Sequence, residues 1–374
     1  QEELTVTTED QVKYISFNEV IGKLNIDPTT WDITSDIRIS FLMSPSTCDF
    51  VKSRGIILHI NRLNILSVDL QVRSTDAEWN GKALNCRYTV IPGILSASNA
   101  TDFYPPTYTS FEQMYQGNID RLTVQWPDGL PLDSSLDYQI HVCYKTNKGS
   151  GLYSTPDSLV TLDGYLDAAS WMPVICNSFQ LVCYEMQFIV PEPFVVISSG
   201  SPSIPIVESH MRTFNYTLKT RIPLKSYGFY VGKVKLLPVE SAVEVGFFAN
   251  SSEEMRAVNT FSELVPTAVE TITKYTETQV PFSLSVVAEK ELPFNPTISF
   301  AGVVVVSSEL LYNKDNADRY RRASYEIGRA IATQWMGHYI VPAKLNDEWI
   351  TVGLRNYLAD QFAKAINGMN YVKY

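Results

Sequence analysis

Near residue 237 the hydrophobic pattern of this chain changes period, and that change limits what it can fold into. Before it, short runs are alternating or continuously apolar, with turn residues between them at close spacing. Examples are Ile37-Arg-Ile-Ser-Phe41, Ile56-Ile-Leu-His-Ile60, Val68-Asp-Leu-Gln-Val72, Tyr138-Gln-Ile-His-Val-Cys-Tyr144 and Tyr184-Glu-Met-Gln-Phe-Ile-Val190. A period of two places one set of side chains on a buried sheet face. Residues 1–236 are therefore expected to form a sandwich-like β domain. Segment 99–120, polar and aromatic without period, reads as a loop.

After residue 237 the order is strand, helix, strands, helix, helix. Val243-Glu-Val-Gly-Phe-Phe248 reads as a strand, and Ser251-Ser-Glu-Glu254 carries helix-capping chemistry. Val258, Phe261, Val265, Val269 and Ile272 follow at helical spacing, with Pro266 predicting a kink or two shorter helices. Leu284 to Val306 returns to strands, and Val303-Val-Val-Val306 suits a buried one. Asp315 or Asn316 is expected to cap a helix running to about Gly337, and Asp347 to start another through Phe362. The expected fold class is α+β, with a second domain over 237–374.

At 374 residues, 45% hydrophobic and 19% charged, the chain has an ordinary globular balance and room for two domains. No apolar run approaches ~18 residues, so no membrane span is expected. A net charge of −10 argues against bulk electrostatic binding to nucleic acid, which leaves only local basic surface. Arg319, Arg321 and Arg322 crowd one predicted helix, and Lys219 and Lys225 cluster elsewhere. The bland reading of both groups is solvated surface charge; the sharper one is DNA contact.

Five cysteines and four histidines form no C-x-x-C pair and no close histidine pair, so no metal or cofactor is expected. Reduced thiols in an intracellular protein fit the odd cysteine count. The sequons at Asn99, Asn215 and Asn250 point weakly the other way.

Residues 326–357 carry the most specific signal. Gln334-Trp-Met-Gly337 and Asn346-Asp-Glu-Trp349 are in register with H-E-x-x-H-Q-W-F-G and W-N-D-x-W-L-x-E-G, the zinc-binding segment of the gluzincin aminopeptidases, which this frame resembles. In that family two histidines at i and i+4 and a glutamate from the next helix bind Zn²⁺, and an intervening glutamate acts as general base. Here Arg329 and Thr333 stand at the histidine positions, Ala330 at the base and Val352 at the third ligand. Arginine offers no lone pair, and alanine and valine offer no ligand or proton. Leu310-Leu-Tyr-Asn313 resembles the stretch after the family's G-A-M-E-N signature. Counting back places Ile298 where a glutamate would hold a substrate's amino group. The resemblance implies an N-terminal saddle domain and a partial thermolysin-like domain without catalysis or zinc. Arg329 would then need a carboxylate, with Glu326, Asp347 and Glu348 nearest in sequence. Trp335, Met336 and Trp349 are expected in the core between the helices.

Within this family, Asp347-Glu-Trp349, Val352-Gly-Leu354 and Ser170-Trp-Met-Pro173 resemble its catalytically dead branch among the TBP-associated factors of TFIID. That resemblance implies a nuclear scaffold with TBP and other TBP-associated factors as partners. It also implies weak promoter contact, with no membrane association and no small-molecule substrate. The competing reading is an inactive adaptor or ectodomain that binds peptides without cleaving them.

Overall fold

The computed structural model describes residues 15–45, 47–73, 82–93, 119–146, 151–163, 165–175, 180–239, 241, 243–250, 252–293, 295–311, 317–343 and 347–368. The chain forms two compact units. One comprises 1–152, 164–189 and 218–225; the other comprises 153–163, 190–217 and 226–374. The expected loop over 99–120 and the caps Asp315 and Asn316 lie largely or wholly outside the described residues.

The first unit is built on alternation. Its main strands are β1 (Ile15–Asp27), β2 (Asp32–Met43), β3 (Ile56–Ile60), β4 (Leu63–Val72), β5 (Ala83–Asn85), β6 (Tyr88–Ile91), β7 (Asp120–Val124), β8 (Tyr138–Thr146) and β9 (Val182–Pro191), with a short helix α1 (Thr47–Arg54) before β3. A large sheet runs in the order β9-β1-β2-β8-β4-β5. Its pairs are antiparallel except β1 with β9. A smaller antiparallel sheet joins Val174–Ile175, β3, β7 and β6. Ile37, Ile39, Val68, Leu70, Ile140, Val142 and Tyr144 are buried, while their neighbours Asp36, Arg38, Asp69, His141 and Cys143 turn outward. Trp126, just past β7, packs edge-on against Tyr138 of β8 with ring centroids 5.0 Å apart. Tyr144 is fully buried and donates its hydroxyl hydrogen to the Trp171 carbonyl at 2.7 Å. That bond removes the cost of a dry, unsatisfied phenol.

The second unit contains a five-stranded sheet buried on both faces. Lys235–Leu236, β10 (Val245–Ala249), β11 (Leu284–Glu289), β13 (Val303–Ser307) and β12 (Thr297–Phe300) lie in that order. β10, β11 and β13 are parallel. Helix α2 (Glu254–Thr276) makes the crossover between β10 and β11. α3 (Ala317–Ala332) and α4 (Glu348–Asn367) follow. Val304 and Val306 face a core with Phe261, Leu264, Ile327, Ile331, Trp335 and Phe362 from the helices. Val303 and Val305 face a second cluster with Val160, Ile197 and Tyr230. Those three come from Ser158–Thr161, Val195–Ser198 and Phe229–Gly232, which form their own antiparallel sheet. Burial on both faces explains why Val303–Val306 reads as an unbroken apolar run. No helix among the described residues is long and apolar enough to cross a membrane.

Two local expectations are corrected. Pro266 does not divide α2, which continues to Thr276. The carbonyl four residues back belongs to exposed Ser262, where water can replace the missing donor. At the start of α2 the Asn250 Oδ1 accepts from the Glu253 amide, and Ser251 of the expected cap lies outside the described residues. α3 ends at Ala332, short of Gly337, because the chain tightens there: the Gln334 and Trp335 amides donate to Ile331 and Ala332, three residues back.

Buried His59 of β3 lies opposite Arg121 of β7. Burial first, then the Arg121 charge, pulls its pKa down to about 4. The unfolded chain takes up this proton near pH 6.5 and the native protein does not, so the contribution is full above pH ~6.5 and declines as pH falls toward 4. Between those values, wild type should lose about 3 kcal/mol more stability than His59→Gln in urea unfolding. Parallel curves for the two proteins would contradict this account.

Candidate functional site on the paired helices

α3 and α4 pack closely because Gly328 leaves room: a Cβ there would meet Phe362 Cδ1 at 2.4 Å. At the end of α3, Gln334 turns away from the helix and is fully buried. Its Nε2 donates to Ser299 Oγ at 3.0 Å and to the Phe300 carbonyl at 2.9 Å, and its Oε1 accepts from the Gly302 amide at 2.8 Å. Gly302 has a φ of 77°, and a Cβ on it would meet the Ser283 carbonyl oxygen at 2.5 Å. One carboxamide thus satisfies the buried backbone of the β12–β13 turn. Trp335 is 1% exposed and donates its indole N–H to the Thr278 carbonyl at 3.2 Å.

The frame positions three of the five candidate residues on these two helices and a fourth, Thr333, just past the end of α3. Arg329 is half-buried and bonds Glu326 Oε2 through Nη2 at 2.8 Å and Nε at 3.1 Å. Glu326 is thus the partner taken from the three acidic residues nearest in sequence. Ala330 packs in the helix-facing core, and its carbonyl accepts from Ser299 Oγ at 3.1 Å. Thr333 is buried, with its hydroxyl turned back to the Arg329 carbonyl at 2.8 Å. Val352 is half-buried on α4, one turn before Arg355. Ile298 is not brought to the other four. It lies opposite Val305 in the cluster with Val160, Ile197 and Tyr230, away from the helix core.

Arg355 has no counterpart in the sequence reading. It is a partly buried guanidinium whose pKa is lowered, first by burial and then by Arg329; Asp163, Glu348 and Tyr325 act in the opposite sense. Its signal was its place three residues after Val352, on the same side of a helix. Two guanidiniums and a Glu326 already committed to one of them do not suit a dication. The residues present therefore do not fit a zinc ion.

Trp349 corrects another expectation: it is 72% exposed, and Ile350, Leu354 and Tyr357 are exposed beside it. The buried stripe of α4 is Thr351, Leu358, Ala359, Phe362 and Ala363. Trp349 precedes Thr351 by two residues, about 200° around the helix, and so points away from α3.

The basic candidates fall in two places. Arg319, Arg321 and Arg322 are exposed on the first turns of α3, where Arg322 is paired with Glu309 at 3.0 Å. Lys219 is exposed on the strand Met211–Ile222, and Lys225 is half-exposed in the turn Leu224–Ser226, both in the first unit. Sequence spacing also missed a group that the first unit assembles from separate strands: Asp36, His141 and Cys143.

Comparison with known proteins defines first a class and then a nearer likeness. The fold is aminopeptidase-like: it superposes on the structure of native yeast LTA4 hydrolase with a TM-score of 0.73 at 13% identity, over 96% of this chain and 50% of that one. In sequence the chain is similar to transcription initiation factor TFIID subunit 2 from several species. The Schizosaccharomyces pombe protein is 35% identical over 75 residues, 20% of this chain and 6% of that protein. The Gallus gallus protein is 20% identical over 211 residues, 54% of this chain and 17% of that protein. The matched segments thus span only a small part of those relatives. No family profile matches the chain.

Trp335→Ala should cost on the order of 3–5 kcal/mol, whereas Trp349→Ala should change stability by no more than about 0.5 kcal/mol. Denaturant titrations of the two variants check this directly. Equal costs would mean that α4 is packed the other way round.

Proposed function

We propose that this chain is a non-catalytic scaffold portion of TFIID that acts in the nucleus, contributing to complex assembly and to core-promoter contact near the initiator. The observation that carries the reading is the Arg329–Glu326 pair, with Arg355 beside it, where a related enzyme would hold zinc. The likeness to TFIID subunit 2 supplies the context. TBP and other TBP-associated factors are the proposed partners, without a membrane, a cofactor at the degenerate site or a small-molecule substrate. The division at 236/237 into an aminopeptidase-like β domain and a degenerate thermolysin-like domain is part of the same proposal.

DNA contact is secondary in this reading. An acidic chain releases counterions only through a local patch, for which Arg319, Arg321, Arg322, Lys219 and Lys225 are the candidates. Arg321 should matter more than Arg322, whose charge is shared with Glu309.

Two measurements test the proposal. Affinity capture of the full-length protein from nuclear extract should recover TBP and TBP-associated factors; a cell-surface complex in their place would overturn it. Promoter DNA should bind weakly and with little base discrimination, and each of these charges that contacts a phosphate should lower the salt slope by about one when removed. Tight, sequence-specific binding that persists at high salt would contradict the secondary role of DNA.

The loss of the zinc site is tested by rebuilding it in a His141→Ala background, which keeps the Asp36–His141–Cys143 group from taking up metal. Arg329→His, Thr333→His and Val352→Glu together should still bind no zinc until Arg355→Gln is added, because that guanidinium opposes the dication. Zinc uptake by the triple change alone would remove Arg355 from the explanation.

A further inference from the structure

The outward face of the large sheet in the first unit carries a group of ligating side chains unrelated to the degenerate helix site. His141 and Cys143 alternate outward on β8, between Asp36 on β2 and Asp69 on β4. Asp36 lies directly opposite Cys143, and Asp69 directly opposite His141. The ligand atoms of Asp36, His141 and Cys143 all lie within 4.8 Å of one another. Cys143 Sγ is 3.4 Å from His141 Nε2, which is 2.7 Å from Asp36 Oδ1. On the far side of the imidazole, Asp69 Oδ2 is 3.7 Å from Nδ1, and Arg38 Nε is 3.7 Å from Asp36 Oδ1.

We propose that Asp36, His141 and Cys143 bind one zinc ion, with solvent in the fourth position and Asp69 orienting the histidine. Thiolate and imidazole together favour zinc over magnesium or calcium, which prefer all-oxygen shells. Tetrahedral zinc with usual bond lengths separates a thiolate sulfur and an imidazole nitrogen by about 3.5 Å, close to the distance already present. It separates carboxylate oxygen and imidazole nitrogen by about 3.4 Å, so the Asp36 carboxylate must rotate out of its present hydrogen bond. All three side chains are half-exposed, which leaves room for that rotation and for a water ligand.

The charges and protons balance. The Cys143 thiol releases its proton to solvent, and thiolate plus the Asp36 carboxylate neutralise the dication. His141 coordinates through Nε2 as neutral imidazole with its proton on Nδ1, directed at Asp69, the usual outer partner of a metal-bound histidine. The ion would clip β2 to β8 in the interior of a nine-stranded sheet. Because the ligands meet only in the folded sheet, binding would stabilise the native state alone. The expectation of no metal rested on spacing along the chain; the ligands here are neighbours across strands.

The reduced, chelator-stripped full chain should be titrated with cobalt(II) and then zinc(II). The expected result is about one equivalent of cobalt, with a thiolate-to-metal charge-transfer absorption and the intense visible bands of a four-coordinate ion, displaced by zinc. Cys143→Ser should remove the charge-transfer band, and His141→Ala should abolish stoichiometric binding. Asp69→Asn should weaken zinc affinity roughly 10- to 100-fold, and Thr333→Ala should change nothing. If His141→Ala does not fold, Asp36→Asn gives the same readout through loss of the four-coordinate spectrum. Absence of a charge-transfer band, its survival in Cys143→Ser, or uptake indifferent to both His141→Ala and Asp36→Asn would overturn the proposal.

Discussion

Burial of the β10–β13 sheet on both faces is the constraint from which the second unit follows. A strand such as Val303–Ser307 has no wet side, so two separate layers must cover it. Its connecting turn at Phe300–Gly302 is then dry as well, and its backbone groups need a partner. Gln334 supplies that partner, and to do so it must leave the helix just after Ala332. Trp335 follows it into the core. The parts of the zinc-binding frame that remain, Gln334-Trp335 and Gly337, are thus parts with packing or backbone work independent of any metal.

The fold shared with LTA4 hydrolase thus carries, on these two helices, a pair of guanidiniums. A zinc site needs neutral or anionic donors converging on a dication. Here a guanidinium from each helix approaches the same region. Glu326 compensates one, and Asp163 and Glu348 act on the other. Thr333 donates its hydroxyl hydrogen to the Arg329 carbonyl one turn back, a local bond that holds its side chain against the helix end.

Legibility in the sequence followed the range of the interaction responsible. The alternating strands of the first unit and the buried valine strand of the second were readable because sheet burial acts residue by residue. The end of α3 was not, since the bonds that stop it run from Gln334 to a turn more than thirty residues earlier in the chain. Trp349 was misplaced by motif: its company suggested a core helix, whereas the angular position of Thr351, Leu358 and Phe362 decides which side of α4 is covered. Asp36, His141 and Cys143 were invisible for a related reason. A cross-strand cluster leaves only an outward His-x-Cys pair on one strand, and its third member is a hundred residues away.

The small sheet that covers Val303 and Val305 comes from segments synthesised well before the strands they cover. During synthesis Val160, Ile197 and Tyr230 emerge first, and they keep an apolar surface without its counterpart until β11, β12 and β13 have left the ribosome. Pairings of such high sequence separation form slowly, and the waiting surface is prone to association. The second unit is therefore a late assembly in the life of the chain.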